Sequence, residues 1–387
     1  MGLASAGRQA SGQDATIAGA NPAGMTLLDR SQMVTGLLGI DVHAKFDVDN
    51  ATYGGGNGGS AGSFVPAGSF SYVESLSPDL KLGVTVASVF GLGVDYGNNW
   101  SGRYYSQEGE LMTMFLNTGI GYRLNDWLSI GGGINVVYSE LTQEVAINNQ
   151  LPLQPDGKIK LDTDDVGYGF NLGVLAELNK RTRIGLSYRS KVELDFEDAS
   201  SVAGVLPPLS TILGIVGANG KRDVDMELTI PTMVMASVYH QLDDQLAVMG
   251  NIGWQKQSEF GKTGISIGSP NPSEFTADRN FDDTWHFALG TQYRLADPWL
   301  LSVGFAYDES PVEDKYRTPD MPLDRQYRYA TGLQYDLNED VTIGAAYTFL
   351  DTGDARIEQA SDAKGDLVGK YETNYVNFFN LNVVWRF

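Results

Sequence analysis

The stretch "NFFNLNVVWRF", residues 377–387, alternates without a break: Phe379, Leu381, Val383, Trp385 and Phe387 share one face, and Asn380, Asn382, Val384 and Arg386 the other. A two-residue period marks a strand with one greasy side and one mostly polar side. The pattern recurs upstream. Met112, Met114, Leu116, Ile120 and Tyr122 oppose Thr113, Asn117, Gly119, Gly121 and Arg123. Trp285, Phe287, Leu289, Tyr293 and Leu295 oppose His286, Ala288, Gly290, Gln292 and Arg294. Tyr327, Tyr329, Leu333 and Tyr335 oppose Arg328, Ala330, Gly332 and Gln334.

A soluble sandwich also alternates, so the connections decide the fold. Six are very short: "SPD" at 77–79, "ND" at 125–126, "NKR" at 179–181, "DDQ" at 243–245, "ADP" at 296–298 and "NED" at 338–340. Long ones lie between them near 46–63, 92–108, 147–165, 198–222, 258–279, 308–324 and 351–370. This strict alternation divides the chain into 14 strands, with every short turn at one end of the sheet and every long loop at the other. That is the layout of an all-β, antiparallel, up-and-down barrel in an outer membrane. Trp127, Trp285, Trp299 and Trp385 stand toward strand ends, where an interfacial girdle places them. Lipid offers no partner to backbone groups, so a spanning sheet must close on itself.

Composition agrees. The 387 residues include 46 Gly, 19 Tyr and 16 Phe. No window holds the roughly 18 consecutive apolar residues a membrane-spanning helix needs. Cysteine is absent, which excludes a disulfide framework, a Cys-based zinc site and a Cys nucleophile. A net charge of −21 argues against nucleic-acid binding. The start "MGLASAGRQ" has no basic n-region or apolar h-region, so it reads as lacking a signal peptide, in a chain either cytosolic or already processed. His43, His240 and His286 are far apart in strand order, and only His286 has a clear inward position. No catalytic motif is present, and no metal or cofactor site is expected.

Fourteen strands enclose more space than wall side chains fill. The first 30 residues lack alternation, are small, and carry a turn at Asn21-Pro22, so they read as a plug folded inside the lumen, with a disordered tail as the alternative. Domain bounds follow: 1–30 for this hatch and 31–387 for the barrel. In "LKLGVTVASVFGLGVDYG", residues 80–97, the inward positions are read as Gly83, Thr85, Ala87, Gly91 and Gly93, and the paired glycines predict a bulge or bend. The 198–222 loop carries Val205, Leu206, Leu209, Ile212, Leu213, Ile215 and Val216, read as an exposed apolar cluster for a hydrophobic ligand. In "TRIGLSYRSKVELDF" the residues Ile184, Leu186, Tyr188, Val192, Leu194 and Phe196 are read as facing lipid or loop, and Arg183, Arg189, Lys191, Glu193 and Asp195 as pointing inward. Arg189 suits a carboxylate head group.

The runs "GLASAGRQASGQDATIAGANPAGMTLLDR", "GYRLNDWLSIGGGINVVYSEL", "GFNLGVLAELNKRTRIGLSYRSKVELDF" and "FAYDESPVEDKYRTPDMPLDRQYRYATGLQYDLNEDVTIGAAYTF" resemble the long-chain fatty acid transporter family of outer membranes, the FadL-like proteins, over essentially the whole chain. The resemblance implies a hatch holding the Asn-Pro-Ala motif at Asn21, Pro22 and Ala23, followed by Gly24. It also implies a kinked third strand opening the wall sideways at Phe90, Gly91, Leu92, Gly93 and Val94. Ligand is implied to bind first among outer loops, then beside the hatch, and to leave into the membrane, with Arg189 in the family's "YRS" stretch as head-group candidate. Two departures stand out. The family usually has several residues before the position of Gly2, and the loop at 147–165 is short here. The expected activity is passive uptake of hydrophobic molecules, long-chain fatty acids first, with aromatic hydrocarbons or general diffusion of polar solutes as alternatives. The expected setting is the bacterial outer membrane, as a monomer touching bilayer and lipopolysaccharide, without nucleic acid or enzymatic activity.

Overall fold

The computed structural model describes residues 2–149, 154–197, 200–207, 219–222, 224–267, 273–362 and 364–387; for 89–92, 219–222, 224–225, 263–267 and 273–277 it describes the backbone only. Among the described residues, 14 strands form a closed barrel. They are β1 Gln32–Ala51, β2 Phe64–Ser75, β3 Leu80–Asp95, β4 Glu108–Asn125, β5 Leu128–Ile147, β6 Gly157–Asn179 and β7 Thr182–Arg189. There follow β8 Met233–Gln241, β9 Leu246–Gln255, β10 Thr284–Ala296, β11 Trp299–Asp308, β12 Gln326–Asp336, β13 Val341–Asp351 and β14 Leu367–Arg386. Each pairs antiparallel with the next, and β14 returns to β1 from Gln32↔Arg386 to Ala51↔Leu367. Closure gives every strand two neighbours, the condition for a sheet in lipid.

The greasy faces point outward. Leu381, Trp385, Leu289, Met114, Ile120 and Tyr329 are all exposed on the barrel's outer surface, and Trp127, Trp285, Trp299 and Trp385 are exposed near strand ends. The lumen face is lined by small and polar groups, and the chain's first residues fill part of it. Leu3, Ala6, Ala10, Ala15, Ile17, Ala23, Met25 and Leu28 are buried. The segment runs through a helical turn at Ile17–Ala20 and a 3₁₀ turn at Pro22–Leu27.

Inward glycines make the room. A Cβ on Gly121 would stand 2.4 Å from the Pro22 carbonyl oxygen, one on Gly131 2.4 Å from the Ala23 nitrogen, and one on Gly173 2.0 Å from Asn21 Oδ1. These are separations no real Cβ tolerates. The inward glycines of the alternating pattern are therefore contact points for a second layer of chain.

Three sequence expectations are corrected. "TRIGLSYRSKVELDF" is two strands. The ladder of β7 ends at Arg189, where the Ser190 N–H donates to the Phe170 carbonyl. The strand Val192–Phe196 then joins a separate sheet with Val224–Ile230, Lys262–Ile267 and Ser273–Asp278. Val192, Leu194 and Phe196 are buried rather than facing lipid, packed with Leu111, Leu141, Met226, Leu228 or Phe115. Lys191, Glu193 and Asp195 are exposed instead of inward. In β3 the irregularity falls at Val89: Ser88 pairs with Met114 and Phe90 with Thr113. The extra residue flips the faces, so Gly91 and Gly93 pair with Met112 and Glu110 on the outward side, while Val94 is buried inward. In the 198–222 loop Val205 is fully buried against Val202, Ile147 and Ile159, and the Leu206 N–H donates to Asn149 Oδ1. Leu209, Ile212, Leu213, Ile215 and Val216 lie outside the described residues. Strands also run further than the loop lengths implied, with β1 reaching Ala51 and β6 beginning at Gly157.

Candidate functional site

The N-terminal segment is tied to the wall by polar contacts at known positions. Asn21, fully buried, donates through Nδ2 to the Gln9 carbonyl (2.8 Å) and to the Val174 carbonyl (3.0 Å), while its Oδ1 accepts from the Ala23 N–H (3.1 Å). The motif Asn21, Pro22, Ala23 and Gly24 thus caps the 3₁₀ turn and staples two parts of the segment to β6. Three inward arginines reach backbone carbonyls of the same segment: Arg123 to Thr26, Arg183 to Ser11 and Arg189 to Gly19.

Between this segment, the β7–β12 wall and the small loop sheet lies a cavity of about 270 Å³. Its chemistry is divided. Leu111, Phe115, Ile230, Met233, Met235 and Phe260 supply an apolar wall. Arg8 from the segment, Arg189 from β7, His286 from β10, Asp308 from β11 and Arg328 from β12 supply the polar side. Arg189 lies over the Phe115 ring at 5.4 Å, where the two sides meet. Asp308 accepts from Arg328 (3.3 Å) and lies 2.8 Å from His286 Nδ1. Three guanidiniums against one carboxylate is a local excess of positive charge in a chain of net charge −21. Such a setting draws an anion. Among the described residues no side-chain or backbone acceptor takes the Arg8 guanidinium, which projects into the open lumen. A second cavity of about 520 Å³, toward Leu38, Ala346 and Phe378, shares Ser5, Arg8 and Arg328 with the first. A wider recess of about 670 Å³ opens among the short turns beside Asp244, Asp297 and Glu339; it lacks a continuous apolar wall and is the weaker candidate.

Of the residues singled out in the sequence, Arg189 lines the cavity and Asn21 to Gly24 form its neighbouring turn. Val205 is far from it in the fold, buried in a cluster of its own. Arg328 shares the polar face of its alternating strand, but Arg8 and Asp308 have no local signal, and nothing near any of the three in sequence announces the register that assembles them. The described ladder between β2 and β3 runs only from Ser75↔Lys81 to Ser69↔Ala87, although β2 continues to Phe64 on its β1 side and β3 to Asp95 on its β4 side. The chain closes again where the Asp95 N–H donates to the Ala61 carbonyl (2.9 Å).

Above the cavity, Arg279 and the buried Asp320 pair at 2.8 Å in the outer loops, adjoining Leu111 and Met226. Burial works to raise the Asp320 carboxyl, but the Arg279 guanidinium outweighs it and holds it below the usual carboxylate range. A depressed carboxylate stabilises above its unfolded value and loses that contribution as pH falls through the folded one. Asp320→Asn takes the carboxylate from the part-buried Arg279 and leaves it only its bond to Thr318 Oγ1, at a cost of up to about 3–5 kcal/mol. Protease cleavage in the outer loops should rise sharply in this variant, with the barrel intact; an unchanged cleavage rate would show that the pair does not hold these loops together.

The chain matches, over residues 1–387, the family described as "Outer membrane protein transport protein (OMPP1/FadL/TodX)". It is 30% identical over 381 residues to a long-chain fatty acid transport protein of Escherichia coli O6:H1, covering 90% of this chain and 84% of that protein. It is 26% identical over 394 residues to outer membrane protein P1 of Haemophilus influenzae, covering 90% and 83%. The crystal structure of a Pseudomonas aeruginosa FadL homologue superposes with a TM-score of 0.90 at 19% identity, covering 100% of this chain and 97% of that one. The toluene transporter TodX of Pseudomonas putida gives 0.70 at 17%, covering 95% and 92%. A closed barrel of 14 strands, a greasy outer belt and this full-length match leave one conclusion: the chain belongs to the FadL/TodX family of bacterial outer-membrane transport proteins, channels rather than enzymes.

Proposed function

We propose that this transporter of hydrophobic compounds takes up long-chain fatty acids, passively, through the cavity beside its N-terminal segment. The observation that carries the reading is the cavity's division into an apolar wall and a cluster of three arginines. A neutral aromatic hydrocarbon has no use for three guanidiniums, whereas a carboxylate on an acyl chain uses both sides. The relatives named as long-chain fatty acid transport proteins agree with it. In this reading residues 1–30 act as a hatch, residues 31–387 as the barrel, and Arg189 with Arg8 and Arg328 hold the head group. Ligand enters past the outer loops and leaves sideways between β2 and β3 near Phe90 to Val94. The protein works as a monomer among phospholipid and lipopolysaccharide.

Arg8→Gln is the cleanest test because no described protein contact is lost with it. Charge-assisted hydrogen bonds contribute about 1.5–3 kcal/mol, so oleate affinity should fall roughly tenfold to a hundredfold. Toluene binding should be unaffected. Equal oleate affinity in the two proteins would move the head group elsewhere, and toluene binding tighter than oleate in wild type would favour the hydrocarbon branch.

A further inference from the structure

Among the described side chains lining this cavity, His286 carries a buried orphan atom, as does Asn171. His286 is 3% exposed, and its Nδ1 lies 2.8 Å from Asp308 Oδ1. Among the described residues nothing partners the buried Nε2. An unmade hydrogen bond on a buried polar atom costs free energy, and such an atom at a ligand cavity asks for a ligand. The geometry also fixes what that ligand must offer. An ionised carboxylate only accepts, so Asp308 obliges Nδ1 to carry a proton. In the neutral ring Nε2 is then an acceptor and repels an anionic oxygen. It becomes a donor only in the imidazolium.

We propose that His286 is a head-group ligand of this cavity, and that an anionic head group binds together with one proton carried on His286 Nε2. The inference rests on the cavity being the ligand site, as proposed above. The charged groups facing the ring from neighbouring elements are Asp308 on β11, Arg328 on β12, Arg189 on β7 and Arg8 on the N-terminal segment. Arginine stays protonated throughout and an ionised Asp308 keeps its charge at neutral pH. The imidazole is therefore the group left to carry that proton. The proton comes from solvent, sits on Nε2, and is donated in a hydrogen bond to the head-group oxygen; it returns to solvent when the ligand leaves. A neutral hydroxyl head group behaves differently: it donates to the unprotonated Nε2 or accepts from the imidazolium N–H, so its binding neither takes up nor releases a proton.

The sign follows directly. Anion affinity is full where the free ring is already charged, and is lost as pH rises through the value the ring has in the complex, by about tenfold per pH unit for one linked proton. The probe is dodecyl sulfonate, whose head does not titrate, with dodecanol as the neutral counterpart, each binding to the purified full-length protein in calorimetry from pH 5.5 to 8.5. Wild type should lose sulfonate affinity with that slope and take up a proton on binding, read from buffers of different ionisation enthalpy. His286→Gln should bind sulfonate weakly with a flat profile. Dodecanol should show no slope in either protein. A flat wild-type profile with sulfonate still bound, or a slope that survives His286→Gln, overturns the role of His286 alone. If neither amphiphile binds wild type, the cavity is not the ligand site and both proposals fall.

Discussion

Gly173→Val is expected to dislodge the N-terminal segment and turn a closed barrel into a conducting one. The added Cβ alone would lie 2.0 Å from Asn21 Oδ1 and 3.2 Å from Pro22 Cδ. Asn21 has nowhere to retreat without giving up its bonds to the Gln9 and Val174 carbonyls. Overpacking of this kind costs about 1–3 kcal/mol, and the lost bonds add to it. At ~1.4 kcal/mol per tenfold, the displaced population rises roughly ten- to a hundredfold. The barrel ladder itself is untouched, because β5–β6 and β6–β7 pair through backbone groups on both sides of Gly173. Single-channel conductance in planar bilayers reads the outcome. Gly132→Ala is the control: its Cβ meets only Leu172 and the Asn171 carbonyl, at 3.4 and 3.5 Å, and should leave conductance at the wild-type level. A folded Gly173→Val protein that conducts no better than wild type would refute the reading of residues 1–30 as a plug.

The alternating pattern marks inward glycines such as Gly119, Gly121 and Gly290 without saying what they meet. The two-residue period reports which side chains share a face, so the outward belt of Met112, Leu289 and Leu381 is legible from it. It does not report what lies beyond that face. Val192, Leu194 and Phe196 continue the rhythm of Ile184, Leu186 and Tyr188 without a phase break, yet the chain leaves the wall at Ser190 and the same apolar face turns onto Leu111 and Leu141. Lipid and protein core demand identical side chains. A bulge is equally silent: the glycines at 91 and 93 announce an irregularity in β3, but the extra residue is Val89, and one residue is enough to exchange faces. The cavity was half legible. His286 was marked as inward from its own strand, and Arg189 from its strand and the family resemblance. Asp308 joins His286 only through the β10–β11 register, in which the two are directly paired, and Arg8 only through the path of the N-terminal segment.

Deleting Val89 should abolish most uptake while preserving ligand binding. Ser88 pairs with Met114 and Phe90 with Thr113, so removing the residue between them joins two ladders already in register and leaves Phe90 to Asp95 on their present partners in β4. What changes is the strand's course. Without the bulge β3 loses its local kink and added twist, and is free to continue along β2 beyond Ser69↔Ala87, where the described ladder now stops. Residues Phe64 to Gly68 of β2, paired to β1 from Asp41↔Phe64 to Leu37↔Gly68, would gain a second neighbour. The gain favours closure, because unpaired backbone groups facing hydrocarbon cost several kcal/mol each. In the proposed route the bulge at Val89 is what keeps β3 off this stretch of β2. If ligand leaves by the proposed route between β2 and β3, fatty acid influx into proteoliposomes drops about tenfold or more once that route is closed. Oleate affinity, set at Arg8, Arg189 and Arg328, should stay within about twofold, because Phe90 to Asp95 keep their β4 partners and so leave Leu111 and Thr113 of the cavity lining in place. Influx that survives the deletion alongside normal binding would rule out the passage between β2 and β3 and leave the short-turn mouth beside Gln13 and Asp14 as the way out.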